Sequence, residues 1–219
     1  NDGKPIPFDF NDEEKKYNIE LIFSRLLTST NYDDSEERKT SGRNGYGAKL
    51  TNIFSTLFEV ESYNPKEKKI YTQKWENNMN TRNNPVFTQV KSSQVKEDLT
   101  KGSGYTKVSF IPDFKRFDNI TGFENDILSL YEKYIYDTAM IVSKYGVKVY
   151  LDNEVVPISC LDDYAKLHFD EDSIQNIYKF KSVDSNVVII PSSEHISVSF
   201  VNGIHTSEGG IHNDMWIEG

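Results

Sequence analysis

Around Ser55 the apolar residues of this chain change period, and that switch limits the architectures open to it. Upstream, Ile19, Ile22, Phe23, Leu26 and Leu27 recur at helical spacing, predicting a helix over 17–29 with those side chains on one face. A second helix is expected from about Tyr46 to Ser55, burying Leu50, Ile53 and Phe54. Downstream the period is two. Leu57 to Tyr63 and Lys69 to Trp75 read as paired strands joined by an Asn64-Pro65 turn, and Tyr105 to Ile111 alternates with Val108 and Phe110 on one face. Asn77 to Lys101 has little periodicity and reads as loop. Helical spacing returns over 124–143, with Ile127, Tyr131, Tyr134, Thr138 and Ile141 as its stripe. Asp152-Asn153 then marks a hairpin between Val147–Leu151 and Val155–Ile158. A short helix near 160–168 and strands around 177–181, 187–190 and 195–201 complete the pattern. Helices mixed with hairpin strands predict an α+β sandwich with helices on one sheet face.

The 219 residues suffice for one large domain, or one plus part of a second, with a boundary expected between Pro191 and His195. Thirteen Tyr and thirteen Phe supply core material that a disordered chain would lack. The net charge of −9 argues against a nucleic-acid platform, which needs clustered Lys and Arg; Lys66-Glu67-Lys68-Lys69 reads as a solvated loop. No apolar run reaches the ~18 residues of a membrane span. The polar start at Asn1, without an initiator Met, is that of a segment of something longer. The single Cys160 has no internal disulfide partner and is expected as a small buried residue.

The chemistry-bearing segment is Gly42-Arg43-Asn44-Gly45-Tyr46-Gly47-Ala48-Lys49, at the expected junction of a polar loop and a helix. Its glycines permit angles and close approaches that a Cβ forbids. A helix start offers unpaired N–H groups to a phosphate, and Lys49 can add a point charge one turn in. It is neither a P-loop, because Leu50 follows Lys49, nor a dinucleotide fingerprint, because an acidic loop precedes Gly42. A plain turn before a helix remains open at this point.

Leu26-Leu27-Thr28-Ser29-Thr30-Asn31-Tyr32-Asp33-Asp34, Gly42 to Leu50 and Asn52-Ile53-Phe54-Ser55-Thr56 together resemble the ATPase region of eukaryotic-type (type IIA) DNA topoisomerase II. Gln73-Lys74-Trp75-Glu76-Asn77-Asn78-Met79 and Tyr105-Thr106-Lys107-Val108 are similar to two of that family's strand segments. Ser199 to Ile204, with Thr206-Ser207, Gly209-Gly210 and His212, resembles the opening of its transducer domain. The resemblance implies a GHKL (Bergerat-type) α/β sandwich over 1–190, lacking its first helices, and the start of a transducer over 195–219.

It implies ATP and Mg2+ as cofactors, and an ATP-operated gate that forms a homodimer to pass one duplex through another. DNA would be bound mainly by parts outside this segment, and the location would be the nucleus, or the site of viral DNA replication if the source is a large DNA virus. Carried over by position, Asp2 faces the adenine, Ser29, Thr30 and Asn31 meet ribose and phosphate, and Gly42, Arg43, Asn44, Gly45, Tyr46, Gly47, Ala48 and Lys49 wrap the triphosphate. Asn31 to Ser41 would be the lid over the nucleotide.

Three departures stand out. Pro5 replaces a family glycine beside Asp2-Gly3, fixing φ and removing an N–H. Ser41 replaces another glycine. The helix with the family's general-base glutamate and magnesium-binding asparagine is expected upstream of Asn1, and the γ-phosphate lysine downstream of Gly219, so the segment alone is expected to be inactive. Two other readings stay open: a degenerate nucleotide-binding or interaction module without turnover, and another GHKL ATPase such as a MutL relative. His168, His195, His205 and His212 lack metal-site spacing. Trp75 and Trp216 are expected in packing roles.

Overall fold

The computed structural model describes residues 1–26, 28, 42, 44–90, 104–118, 120–169 and 173–217. They fall into two compact units that divide after Gly122.

In the first unit the period switch at Ser55 is where the sheet begins. β3 (Ser55–Asn64) and β4 (Lys69–Glu76) form the expected antiparallel pair. The turn between them is fixed by the Asn64 Oδ1, which accepts from the Lys66 N–H at 3.1 Å. β7 (Tyr105–Pro112) pairs with the other edge of β3, placing Phe110 beside Phe58 and Val108 beside Val60. Phe58, Val60, Tyr71 and Trp75 form the core, covered by Phe8 and by Ile19 and Phe23 of α1 (Asn18–Ser24). Phe58, Tyr71 and Trp75 are at most 1% exposed, and full burial of such a side chain stabilises by roughly 1.5–3 kcal/mol. A small hairpin, β1 (Phe10–Asn11) with β2 (Lys16–Tyr17), leads into α1.

Several expectations are corrected here. α1 is seven residues long rather than spanning 17–29. Tyr17 is already in β2, and Arg25 is extended, its guanidinium paired with Glu14 off the helical path. Shortened in this way, α1 turns Ile19 and Phe23 onto the sheet and leaves Ile22 and Leu26 exposed. The second helix, α2 (Gly47–Ile53), buries Lys49 and Asn52; of the residues expected to be buried, Ile53 and Phe54 are half-buried and Leu50 is exposed. The stretch read as loop contains β5 (Thr81–Arg82) and β6 (Val86–Gln89), both on the outer edge of β4. Every side chain of these two strands is exposed, so no alternation marked them.

Between β4 and β5 stand three consecutive left-handed residues, Asn77 (φ 52°), Asn78 (φ 56°) and Met79 (φ 68°). Such backbone costs about 1–3 kcal/mol per non-glycine residue unless its surroundings hold it. Here the Asn77 and Asn78 N–H groups donate to Thr56 O and Ser55 O, at 2.9 and 3.0 Å, and Met79 packs against the core.

The second unit is organised on α3 (Asn125–Ser143), which appears as expected, but on a different face. Ile127, Tyr131 and Tyr134 are 37–51% exposed, whereas Ile135, Tyr136, Ala139 and Met140 pack against Val156, Ile158 and Tyr164. A polar contact selects that face. Buried Asp137 accepts hydrogen bonds from the Tyr164 hydroxyl at 2.6 Å and from Lys133 Nζ at 2.7 Å. The Asp152-Asn153 turn forms with both residues left-handed (φ 50° and 69°), joining β8 (Tyr150–Leu151) to β9 (Glu154–Val155).

α4 (Leu161–Ala165) follows, then the hairpin β10 (Tyr178–Lys181) with β11 (Asn186–Ile189). The strand expected over 195–201 is reduced to β12 (Phe200–Val201), which the left-handed Asn202-Gly203 turn folds onto β13 (Ile204–His205). Last comes α5 (Ile211–Ile217), whose Trp216 ring lies 4.8 Å from Phe180. Cys160 is partly exposed rather than buried, because it is the residue that caps the start of α4.

Candidate functional site

The glycine-rich segment enters α2 in the first unit. Gly45 is left-handed, at φ 64°, and turns the chain into the helix. Tyr46 caps α2 with an exposed ring. Gly42, Asn44, Gly47 and Ala48 are exposed as well. Lys49 departs from the picture of a free point charge. It is 3% exposed, its Nζ donates to Gly45 O at 2.7 Å, and burial lowers its pKa. The ammonium thus folds back under the loop and braces it. Gly42 and Gly47 differ from Gly45: a Cβ at either would meet nothing within 4 Å, and neither is left-handed. The fold therefore needs glycine at 45 but not at 42 or 47.

Asp2 is exposed at the opposite end of β7 from α2. Asn1 exchanges backbone bonds with Thr106 at 2.9 and 3.0 Å, whereas Phe54 O at the exit of α2 accepts from the Asp113 N–H just beyond the other end of β7, at 2.8 Å. Five residues of strand, about 17 Å, separate Thr106 from Ile111. Pro5 is accommodated beside Gly104, whose φ of +86° and bare Cα leave it room; a Cβ there would stand 3.2 Å from Pro5 Cδ. The chain then runs into an open groove of about 450 Å³ lined by Ile6 and Pro7 on one side and Asn18, Leu21, Ile22, Arg25 and Thr28 of α1 and its exit on the other. The groove therefore lies between the segment after Asp2 and the segment before Ser29. Ser29, Thr30, Asn31 and Arg43, and the expected lid, lie outside the described residues.

No protein-family model matches the chain. Individual proteins do. A probable DNA topoisomerase 2 of Dictyostelium discoideum is 43% identical over 216 residues, covering 97% of this chain and 13% of that protein. A DNA topoisomerase 2 of Invertebrate iridescent virus 6 is 38% identical over 202 residues, 91% of this chain and 17% of the viral protein. The crystal structure of the ATPase region of Saccharomyces cerevisiae topoisomerase II superposes with a TM-score of 0.84 at 39% identity, covering all of this chain and 55% of that one. The chain corresponds to part of the ATPase region of type II DNA topoisomerases. It spans about one seventh of the curated topoisomerases it matches and about half of the solved ATPase region.

Against that topoisomerase fold, two features of the site were not read from the sequence. One is the groove at Ile6 and Ile22, which is built from two distant segments. The other is Asn52, wholly buried on α2, whose Nδ2 donates to Phe23 O at 3.1 Å and so bridges to α1. An amide at an apolar-looking helix position is the signal that could have found it. Among the described residues no three His, Cys, Asp or Glu side chains converge on a possible metal position. None of the described helices is long and apolar enough to cross a membrane.

Proposed function

We propose that this chain is part of the ATP-binding gate of a type II DNA topoisomerase. Gly47 carries the reading. It opens α2 with open space where a Cβ would go, so its bareness serves something other than the fold. A phosphate lying against backbone N–H groups is such a thing. Gly42 to Lys49 would wrap the triphosphate, with Lys49 stiffening the turn from beneath. The groove offers the adenine apolar contacts from Ile6, Pro7, Leu21 and Ile22 and a polar edge that includes Asn11 and Glu14, and Asp2 would supply a carboxylate for its amino group. Ser29, Thr30 and Asn31 would follow at ribose and phosphate. The nucleotide-binding domain would span 1–190 and the transducer would begin at 195.

The described residues do not furnish a magnesium site, so Mg2+ would arrive with the phosphates and with residues beyond them. The water-activating glutamate is assigned to the parent protein outside this segment. ATP favouring the closed homodimer would shut the gate by population shift. DNA would be gripped mainly elsewhere, in keeping with a net charge of −9. Relatives in both cells and a virus leave the nucleus and a viral replication site as the two settings.

The test is calorimetric titration of a non-hydrolysable ATP analogue with magnesium into the full-length protein carrying this segment. Saturable binding is expected, weakened at least about 10-fold by Gly47→Val and by Lys49→Ala, about 1.4 kcal/mol each. Absence of binding by the folded, unaltered protein would overturn the proposal.

A further inference from the structure

We infer that Asn52 is a positioning residue for the nucleotide: its amide ties the exit of α1 to α2, so that the end of α1 and the glycine loop hold one geometry. The inference rests on the nucleotide reading above and adds the coupling between its two halves. Phe23 O belongs to the last turn of α1, where carbonyls have no intrahelical donor. Asn52 Nδ2 supplies that donor from the neighbouring helix, at 3.1 Å. Two residues beyond Phe23 the chain is fixed again: Thr28 Oγ1 donates to Arg25 O at 3.2 Å, closing a turn one residue short of Ser29.

On the α2 side, Lys49 lies one helical turn before Asn52, buried on the same face, and holds Gly45 O. The far end of α2 is pinned independently, because Ile53 O accepts from both Asn78 Nδ2 and Arg116, each at 3.1 Å. With that end held, the bond from Asn52 sets where α2 stands against α1, and hence where the glycine loop stands against the chain entering Ser29.

Packing alone does not explain an asparagine here. It is a poor helix former, and its Oδ1 is buried without a partner among the described residues. An apolar side chain would serve packing without burying an unused acceptor. What asparagine adds is a directed donor aimed at one carbonyl.

Two variants of the full-length protein test this, read by affinity for a non-hydrolysable ATP analogue with magnesium and by thermal melting. Asn52→Leu keeps the branched outline, adds bulk and deletes the donor, and its melting curve reports the cost of the bulk. It should melt well above the assay temperature yet bind about 10-fold more weakly. Asn52→Asp places a carboxylate at Phe23 O, and burial raises the pKa of such a group. Its deficit relative to the unaltered protein should shrink as pH falls, because the protonated carboxyl donates again. Native-like affinity in Asn52→Leu, or an Asn52→Asp deficit independent of pH, would overturn the inference. So would failure of both variants to fold, which would make Asn52 a folding residue. Failure of the unaltered protein to bind would instead remove the nucleotide reading, and this inference with it.

Discussion

The two units bury very different cores. The first packs Trp75, Tyr71, Phe58 and Ile19 at 1% exposure or less, around a sheet whose register is fixed along eight paired residues of β3 and β4. The second centres on Ala139, Val156, Ile158 and Tyr164, and leaves Tyr134, Val155, Phe180 and Met215 about half exposed or more. The first also buries six polar side chains, Glu20, Lys49, Asn52, Ser55, Ser62 and Gln73, whereas among the described residues of the second the buried polar side chain is Asp137, bound to Tyr164 and Lys133. The lesson is that the first unit spreads its burial over many side chains. The second depends on a few atoms being in place.

The largest expected effect tests the first half of that contrast. Trp75→Ala should destabilise the first unit by about 3–5 kcal/mol, whereas Tyr131→Ala in the second should cost under ~1 kcal/mol. Urea titration followed by circular dichroism reads both, and equal losses would break the comparison. Asp137→Ala comes next, at about 1–3 kcal/mol, because it strands the buried Tyr164 hydroxyl; Tyr164→Phe should lose only about 1 kcal/mol. If Asp137→Ala were neutral, the second unit would be held by area after all.

Gly104→Ala should cost about 1–3 kcal/mol, since φ is +86° and the added carbon would stand 2.5 Å from Tyr63 O. Gly47→Ala should be neutral or stabilising by up to ~1 kcal/mol while still impairing nucleotide binding. The same melting curves, set beside the titration, separate a glycine the fold needs from one it does not. The smallest effect is that of pH on the second unit. Partial burial, then the Lys133 charge, holds the His168 imidazole below its ordinary pKa of 6.5. The folded state therefore prefers the neutral ring. The stability this contributes is complete above about 6.5 and is lost as pH falls through the lower folded value. His168→Gln should flatten that slope in melting temperatures taken from pH 7.5 down to 5.

Where one physical pattern governed a segment, the sequence disclosed it. The alternation from Phe58 to Ser62 reports a sheet with one covered face, and the hairpins at Asp152-Asn153 and Asn64-Pro65 follow from side chains that suit those turns. The faces of α1, α2 and α3 were misread for a common reason. Each is set by a polar contact with a distant residue: Arg25 with Glu14, Asn52 with Phe23 O, Asp137 with Tyr164. Hydrophobic spacing carries no record of such partners. At the site, the glycine loop was legible because glycines are punctuation in any sequence. The groove was not, because Ile6 and Ile22 become neighbours only through the β1–β2 hairpin and α1.

The left-handed run at Asn77, Asn78 and Met79 also bears on how this chain can drift over generations. Glycine and asparagine accept that backbone readily, whereas valine, isoleucine and threonine are repelled by it. Most single-codon changes in the run therefore land on residues the backbone resists, and at Met79 they must also suit the core. A few positions on, Val86, Thr88 and Gln89 of β6 face solvent and accept nearly any residue, while Phe87 lays its ring against Phe8, Tyr17 and Tyr71. Two adjacent stretches of one sheet should thus keep different clocks, the turn nearly stopped and the edge strand running free except at Phe87.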